Sequence, residues 1–335
     1  MALDLYIHGP GFGEMILMRW KEGRKAHAAI VDVHCPNSKV DRLLLWLDNE
    51  HVRHLSFIAI THPHLDHIRN ADEVLRAYKK RVARLWYWPG LNQAAYLPFF
   101  NRLAKTFPRS ELRQRAAAVR DFFVEHKRQF YDERLGSPEL MSFTKATCIY
   151  PIGRAPEALE VTCASPWDDP IMDFSRIVND GIRPGGAVTD THHQCNLVSG
   201  GFLIRHGKAQ VFLGGDMETE NWGALRASGA FGDFRPCVVK VSHHGSATGC
   251  LPDMWGEDGF LGRHKPVAVI TPWRKKLPDQ TVIDRIRSSG CETYVTGACR
   301  PRVDDGFPHI HLRVNEDPAV PVEVIHRSPS VRRIP

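Results

Sequence analysis

One short run constrains this chain more than any other: Thr61-His62-Pro63-His64-Leu65-Asp66-His67, which follows directly on the apolar residues 55–60. Four side chains able to ligate a metal fall within six residues. At the end of a rigid, buried strand, three imidazoles and a carboxylate can converge with little backbone adjustment. That donor set suits Zn²⁺ and tolerates Mn²⁺ or Fe²⁺. A strand serving only a core has no reason to end this way, so the fold must bring this strand end to a polar cleft.

The surrounding pattern agrees. Residues 3–8, 15–20, 27–33 and 54–61 read as strands, and Val40, Leu43, Leu44 and Leu47 lie at helical spacing. A helix over 68–78 and a strand over 82–87 follow, so strand, polar loop, helix and strand succeed one another as in α/β proteins. Residues 91–147 break the rhythm and are expected to be a helical insertion or cap. Within them, 101–134 carries nine Lys or Arg against five Asp or Glu, and 113–131 reads as a helix with Val119, Phe122 and Phe123 on one side. Strands return at 148–151, 159–163, 195–205, 209–213, 237–241, 267–271 and 292–295. A loop is predicted over 175–190, a helix over 281–288, and edge strands over 310–314 and 320–325. Two packed sheets with helices outside are the expected architecture, with 1–335 as a single domain.

Composition narrows the class. At 335 residues with 43% hydrophobic and 24% charged residues, the chain can bury a large core and is neither a disordered tail nor a disulfide-stapled miniprotein. Its net charge of +6 is compatible with an anionic partner. The eight cysteines include no CxxC pair and fit reduced thiols. With no signal-like start and no long apolar run, a cytoplasmic protein without membrane contact is expected. Walker A and dinucleotide-binding fingerprints are both missing, which argues against nucleotide-powered or redox chemistry.

Further donors recur where later strands hand over to loops: His192-His193, Gly214-Gly215-Asp216 and Ser242-His243-His244-Gly245-Ser246. In this order the chain resembles the metallo-β-lactamase fold superfamily. His-x-His-x-Asp-His matches in full at 62, 64, 66 and 67, and is followed by Gly215-Asp216 and a His at 243 or 244. More narrowly, it is similar to the branch that includes the soluble hydrolase domain of bacterial DNA-uptake channel proteins. Residues 11–17, Ile30-Val31-Asp32 and the run from Lys240 to Ser246 carry that likeness. It covers about residues 1–90 and 190–300. The sequence departs from that branch at Val33-His34, where paired glycines are usual, and at Cys195-Asn196-Leu197-Val198.

The resemblance implies an α/β fold, an αββα sandwich of two mixed sheets flanked by helices. It places one metal on His62, His64 and a third-motif histidine, and a second on Asp66, His67 and a last-motif histidine, with Asp216 bridging. His192 and His193 leave the register open; His193 is the choice made here. On an extended segment His243 and His244 would face opposite ways, so His244 is taken as ligand and His243 as the contact to phosphate or leaving group. Asp66, His243 and Lys240 form the expected catalytic group, Asp66 as a ligand rather than a free base and Lys240 as a neutraliser of phosphate oxygens.

The expected activity is metal-dependent hydrolysis of phosphodiester bonds, as in a nuclease, by a hydroxide bridging two divalent ions, Zn²⁺ first among them. The substrate would be anionic, a single-stranded nucleic acid or a nucleotide. Trp86-Tyr87-Trp88 could stack bases or fill a core. Alternatives are a lactone, thioester or small phosphoester hydrolase of the same fold, or a metal-binding interaction protein with little turnover.

Overall fold

Successive residues of a strand face opposite sides of its sheet, and that period sorts the core of this protein. The computed structural model describes residues 2–35, 39–88, 93–107, 110–131, 139–151, 159–189, 191–229, 234–297 and 307–334. Arg109 and Arg134 of the basic stretch, and Cys299, lie outside the described residues.

The N-terminal part contributes β1 (Ala2–His8), β2 (Met15–Glu22), β3 (Lys25–Val31), α1 (Val40–Asn49), β4 (Phe57–Ile60), α2 (Leu65–Ile68), α3 (Ala71–Ala77) and β5 (Arg84–Tyr87). Helices α4 (Gln93–Thr106) and α5 (Ser110–Tyr131) follow, then β6 (Glu139–Ser142), β7 (Cys148–Tyr150), β8 (Leu159–Ser165), α6 (Asp168–Ile182) and α7 (His192–Leu197). The rest comprises β9 (Gly201–His206), β10 (Ala209–Leu213), α8 (Thr219–Ser228), β11 (Val238–Lys240), β12 (Val267–Ile270), α9 (Gln280–Ser288), β13 (Thr293–Val295), β14 (His309–Asn315), β15 (Glu323–Arg327) and β16 (Arg332–Ile334).

Among the described residues two mixed eight-stranded sheets result, ordered β15-β14-β1-β2-β3-β4-β5-β6 and β16-β13-β12-β11-β10-β9-β8-β7. Strands β3 to β6 run parallel in the first, and β10 to β13 in the second. The alternation is clearest in the second sheet. Phe202, Ile204, Val211, Leu213, Val238 and Val269 join the larger core, which also holds Leu5, Ile7 and Ile30 of the first sheet. Their neighbours Leu203, Phe212, Val239 and Ile270 turn outward onto Trp222 and Leu225 of α8 and Val282 and Ile286 of α9. Each fully buried aliphatic side chain contributes about 1.5–3 kcal/mol. This is the expected αββα arrangement, with an added helical pair.

Three expectations on elements are corrected. Among the described residues the insertion is helical only through α4 and α5, and Glu139–Ser142 re-enters the first sheet beside β5. Residues 168–182 form α6, although a loop was predicted over 175–190; Phe174 and Val178 bury one face. The strand expected over 195–205 is two elements, α7 and β9, since its apolar residues Cys195, Leu197 and Val198 also suit a helical turn. No helix among the described residues is long and apolar enough to cross a membrane.

Candidate metal centre

The functional side chains leave the C-terminal ends of parallel strands in both sheets. Asp32 follows β3 and the His62–His67 loop follows β4. Asp216 follows β10, His243 and His244 follow β11, and Thr271 follows β12. Side chains from two sheets therefore meet at one edge of the sandwich. The turn before Asp216 admits only small residues. Gly215 has φ +49°, and a Cβ there would stand 2.5 Å from the Gly200 carbonyl oxygen. Likewise Gly13, at φ +80°, lets the β1–β2 loop lie under the histidine loop, where Glu14 N–H donates to the Asp66 carbonyl at 3.0 Å.

Of three buried clusters among the described residues, two include or face Asp216, His62 with His64 and Asp216, and Asp66 with His67 and His244, while the third, Glu14 with Asp32 and His67, shares His67 with the second. Within each, one donor atom per residue lies within 4.8 Å of the others. The Asp216 carboxylate reaches the first two: Oδ2 is 3.6 Å from His62 Nε2 and from His244 Nε2, and Oδ1 is 3.4 Å from His67 Nε2. His64 Nδ1 stands 2.9 Å from His62 Nε2, and Asp66 Oδ2 is 3.3 Å from His244 Nε2.

Hydrogen bonds behind the rings decide which nitrogen is free. The His244 Nδ1–H donates to the Thr271 carbonyl at 2.8 Å, leaving Nε2 as the inward atom. The Thr61 hydroxyl gives its proton to Asp32 at 2.9 Å, so its oxygen accepts from His62 Nδ1–H at 3.0 Å. His67 Nδ1–H donates to Asp32 Oδ2 at 2.8 Å. The inward atoms His67 Nε2, His244 Nε2 and Asp216 Oδ1 are buried with no hydrogen-bond partner, and His64 Nε2, whose ring turns Nδ1 toward His62, is buried and unpaired as well. Buried polar atoms are rarely left so. Unpaired imidazole nitrogens and a carboxylate oxygen converging on common points fit divalent cations.

Electrostatics agree. Burial drives the pKa of His62 and His64 well below the ordinary imidazole value, so both rings are neutral, as ligands must be. Burial opposes ionisation of Asp216, yet His244, His67 and His62 hold its carboxyl well below the usual range. Burial likewise disfavours a charged His67, but Asp216, Asp32 and Asp66 outweigh it and raise its pKa well above the usual value, a demand for positive charge that a bound cation would meet in place of the ring proton.

Several expected site residues are placed differently. His193 is 53% exposed and lies 3.8 Å and 3.7 Å from Glu218 and Glu220, outside these clusters. Its neighbour His192 stacks on His64 with ring centroids 4.3 Å apart. The pair sits on helix α7, where successive side chains diverge by about 100°, so only one can face the cluster. Lys240 is fully buried. Its ammonium binds Glu14 Oε2 at 2.6 Å and the Gly215 carbonyl at 3.0 Å, so it cannot serve as a contact to substrate phosphate. His243 and His244 do not diverge through extended backbone. Both are left-handed, with φ +46° and +55°, and His243 N–H donates to the Gly215 carbonyl at 2.9 Å. This strained turn sends His244 into the second cluster and His243 to Glu218, whose Oε1 is 3.2 Å from its Nδ1.

Trp86, Tyr87 and Trp88 are buried in the core, where Tyr87 and Trp88 pack on Phe123, so they do not offer a stacking surface. Three charges of the basic stretch are similarly committed. Arg102 donates to the carbonyls of Gly181, Arg183 and Gly186, Arg120 pairs with Asp121, and Arg128 pairs with Glu125. Glu14 lies in the run 11–17 but was given no role there, and Glu218, Thr271 and Ser199, which accepts the Asp216 N–H at 2.9 Å, escaped the sequence reading. Each of these three lies far along the chain from its partner and has no motif of its own.

A sequence profile described as the Metallo-beta-lactamase superfamily matches residues 8–253. The chain belongs to the metallo-β-lactamase superfamily. Its fold and its buried clusters together support a metal-dependent hydrolase of that superfamily. No curated protein matches the sequence significantly. Among solved structures, this superfamily member aligns with the metallo-β-lactamase fold protein YhfI from Bacillus subtilis, at 9% identity over 88% of this chain and 97% of that one, with a TM-score of 0.43. Zn²⁺-bound PqqB from Methylobacterium extorquens aligns at 12% identity over 88% and 97%, with a TM-score of 0.42. A mutant CmlA beta-hydroxylase aligns at 13% identity over 71% of this chain but only 35% of its own length, with a TM-score of 0.37.

Proposed function

We propose that the chain is a phosphodiesterase, acting on a nucleic acid strand or a nucleotide, that works with two divalent ions, Zn²⁺ foremost. In this reading His62, His64, His192 and Asp216 hold one ion, and Asp66, His67, His244 and Asp216 the other. Two such ions, when bound, supply Lewis acidity and a water acidic enough to ionise near neutral pH. The remaining work falls to the protein. Asp32, Thr61 and Thr271 hold the rings in register, and Glu14 with Lys240 forms the buried floor beneath them.

The observation that carries the phosphodiester reading is the pair His243–Glu218 beside the clusters. Burial lowers the pKa of His243, but the hydrogen bond to Glu218 and the nearby Asp216 raise it above the ordinary value. A protonated imidazole there suits an alkoxide leaving group, which needs a proton as its bond to phosphorus breaks. Asn196 Nδ2–H donates to Glu218 at 2.7 Å and keeps that carboxylate in place. The run from Lys240 to Ser246 supports kinship with the branch that includes DNA-uptake channel hydrolase domains. The seven described cysteines are all free, in keeping with a reducing compartment such as the cytoplasm.

The test is a substrate panel on protein stripped with chelator and reloaded with Zn²⁺ or Mn²⁺. Bis(p-nitrophenyl) phosphate and short single-stranded DNA and RNA should be cleaved, with loss on stripping and recovery on reloading. Turnover confined to a lactone, thioester or phosphomonoester would replace the phosphodiester reading with the broader hydrolase one. Metal-loaded protein with no turnover on any of these would point to a metal-binding interaction protein.

A further inference from the structure

Arg115 sits on α5, in the helical insertion, with only 4% of its surface exposed. Its Nε and Nη2 are buried without a hydrogen-bond partner, and no described carboxylate pairs with it. The Phe100 ring of α4 lies 5.6 Å from the guanidinium carbon and covers one side. Helix α5 packs along α2, the short helix that carries Asp66 and His67. Through this packing the insertion brings a buried cation up to the metal centre.

Burying a charge is costly, and the cost is tolerated when a partner or a function requires it. Here the partner is missing from the described protein while two donors of a planar fork remain open. A guanidinium with adjacent free N–H groups matches the two oxygens of a phosphate or a carboxylate. We infer that Arg115 is a substrate-binding residue that receives an oxyanion group of the substrate at the metal centre. The insertion then contributes one placed charge to the cleft, in addition to any diffuse positive field. The inference rests on the metal-hydrolase reading for what lies beside Arg115, and is independent of whether the scissile bond is a phosphodiester.

The experiment compares wild type, Arg115→Met and Arg115→Lys as Zn²⁺-loaded full chains, with inorganic phosphate and acetate as probes. Thermal unfolding is measured with and without each anion, and metal content is measured alongside. Without anion, R115M should unfold at the same temperature as wild type or higher, because an unpaired buried charge is gone. It should keep its metal and lose about tenfold or more in anion affinity, with R115K intermediate. A response of wild type to phosphate, lost in R115M, identifies a phosphate-type group; a response to acetate alone identifies a carboxylate.

Two results would overturn the inference. One is an R115M protein that unfolds earlier yet responds to both anions like wild type, which would make Arg115 structural. The other is a wild type whose stability neither anion alters. Cleavage assays keep this separate from the substrate reading. An R115M variant with unchanged KM for a cleaved phosphodiester defeats the inference alone, whereas anion binding lost in R115M without any phosphodiester turnover by wild type defeats that reading alone.

Discussion

The Asp32 carboxylate lies 2.8 Å from His67 Nδ1 and thereby turns His67 Nε2 toward Asp216, 3.4 Å away. Asp32 can do this because its backbone is left-handed, φ +56°, at the end of β3, which tucks the side chain under the histidine loop. There it also accepts the Thr61 N–H at 2.7 Å. A fully buried carboxylate thus orients one metal-facing ring and braces the loop that carries the others.

Asp32→Asn should keep the fold and lose the charged acceptor behind His67. Metal affinity is expected to fall about 10–100-fold, as for other carboxylates behind ligating histidines. Titration against a competing chelator measures it, with circular dichroism as the check on folding. Unchanged affinity would assign Asp32 to loop bracing alone.

The Glu14–Lys240 pair lies under the clusters with both side chains fully buried, and Glu14 Oε2 also accepts the Thr271 hydroxyl at 2.5 Å. Removing one partner strands the other's charge. Lys240→Met should therefore cost about 3–5 kcal/mol in urea unfolding, and the double variant E14Q/K240M should recover about half of that or more. An additive double variant would mean the two charges are not coupled.

His243 and His244 should part in phenotype. His244→Ala is expected to lose metal from the second cluster together with turnover. His243→Gln should retain full metal content while turnover falls roughly 10²-fold or more, the usual scale for a lost general acid. Elemental analysis beside steady-state kinetics distinguishes them, and a reversed metal pattern would exchange their roles.

Much of this was legible in the sequence because it is local. The His62–His67 run, Gly214-Gly215-Asp216 and the two histidines after β11 each sit at a strand end, and the apolar strands before them imply the sandwich. What was not legible depends on turns and on distant partners. His192 and His193 differ only in which way a short helix rotates them. Lys240 stands in a motif of reactive residues, yet its ammonium meets Glu14, more than two hundred positions earlier. Trp86-Tyr87-Trp88 reads equally as a stacking surface or a core, and only packing against the insertion decides between them. Arg115 is indistinguishable by sequence from the exposed arginines around it.

Acid should weaken the fold through histidines outside the metal clusters. His8 donates its Nδ1–H to the Pro308 carbonyl and His309 donates to the Phe307 carbonyl at 2.7 Å. Burial depresses their pKa to about 3 and about 4. Because these folded values lie below the unfolded one, the stability they confer is complete above about pH 6.5 and lost as pH falls toward 4. Each should cost about 2 kcal/mol by pH 5. In metal-free protein, His8→Gln should remove its share of the difference between unfolding free energies at pH 7.5 and pH 5. An identical pH dependence in that variant would show that His8 does not contribute.

The central claim is a pair of metal sites joined by Asp216, and metal stoichiometry tests it most directly. Wild type stripped with chelator, reloaded with Zn²⁺ and freed of excess should hold two ions per chain by elemental analysis. Asp216→Ala, folded by circular dichroism, should hold fewer than one, since both clusters lose a ligand. Wild type that retains no stoichiometric metal, or an Asp216→Ala protein that still binds two ions, would contradict the account.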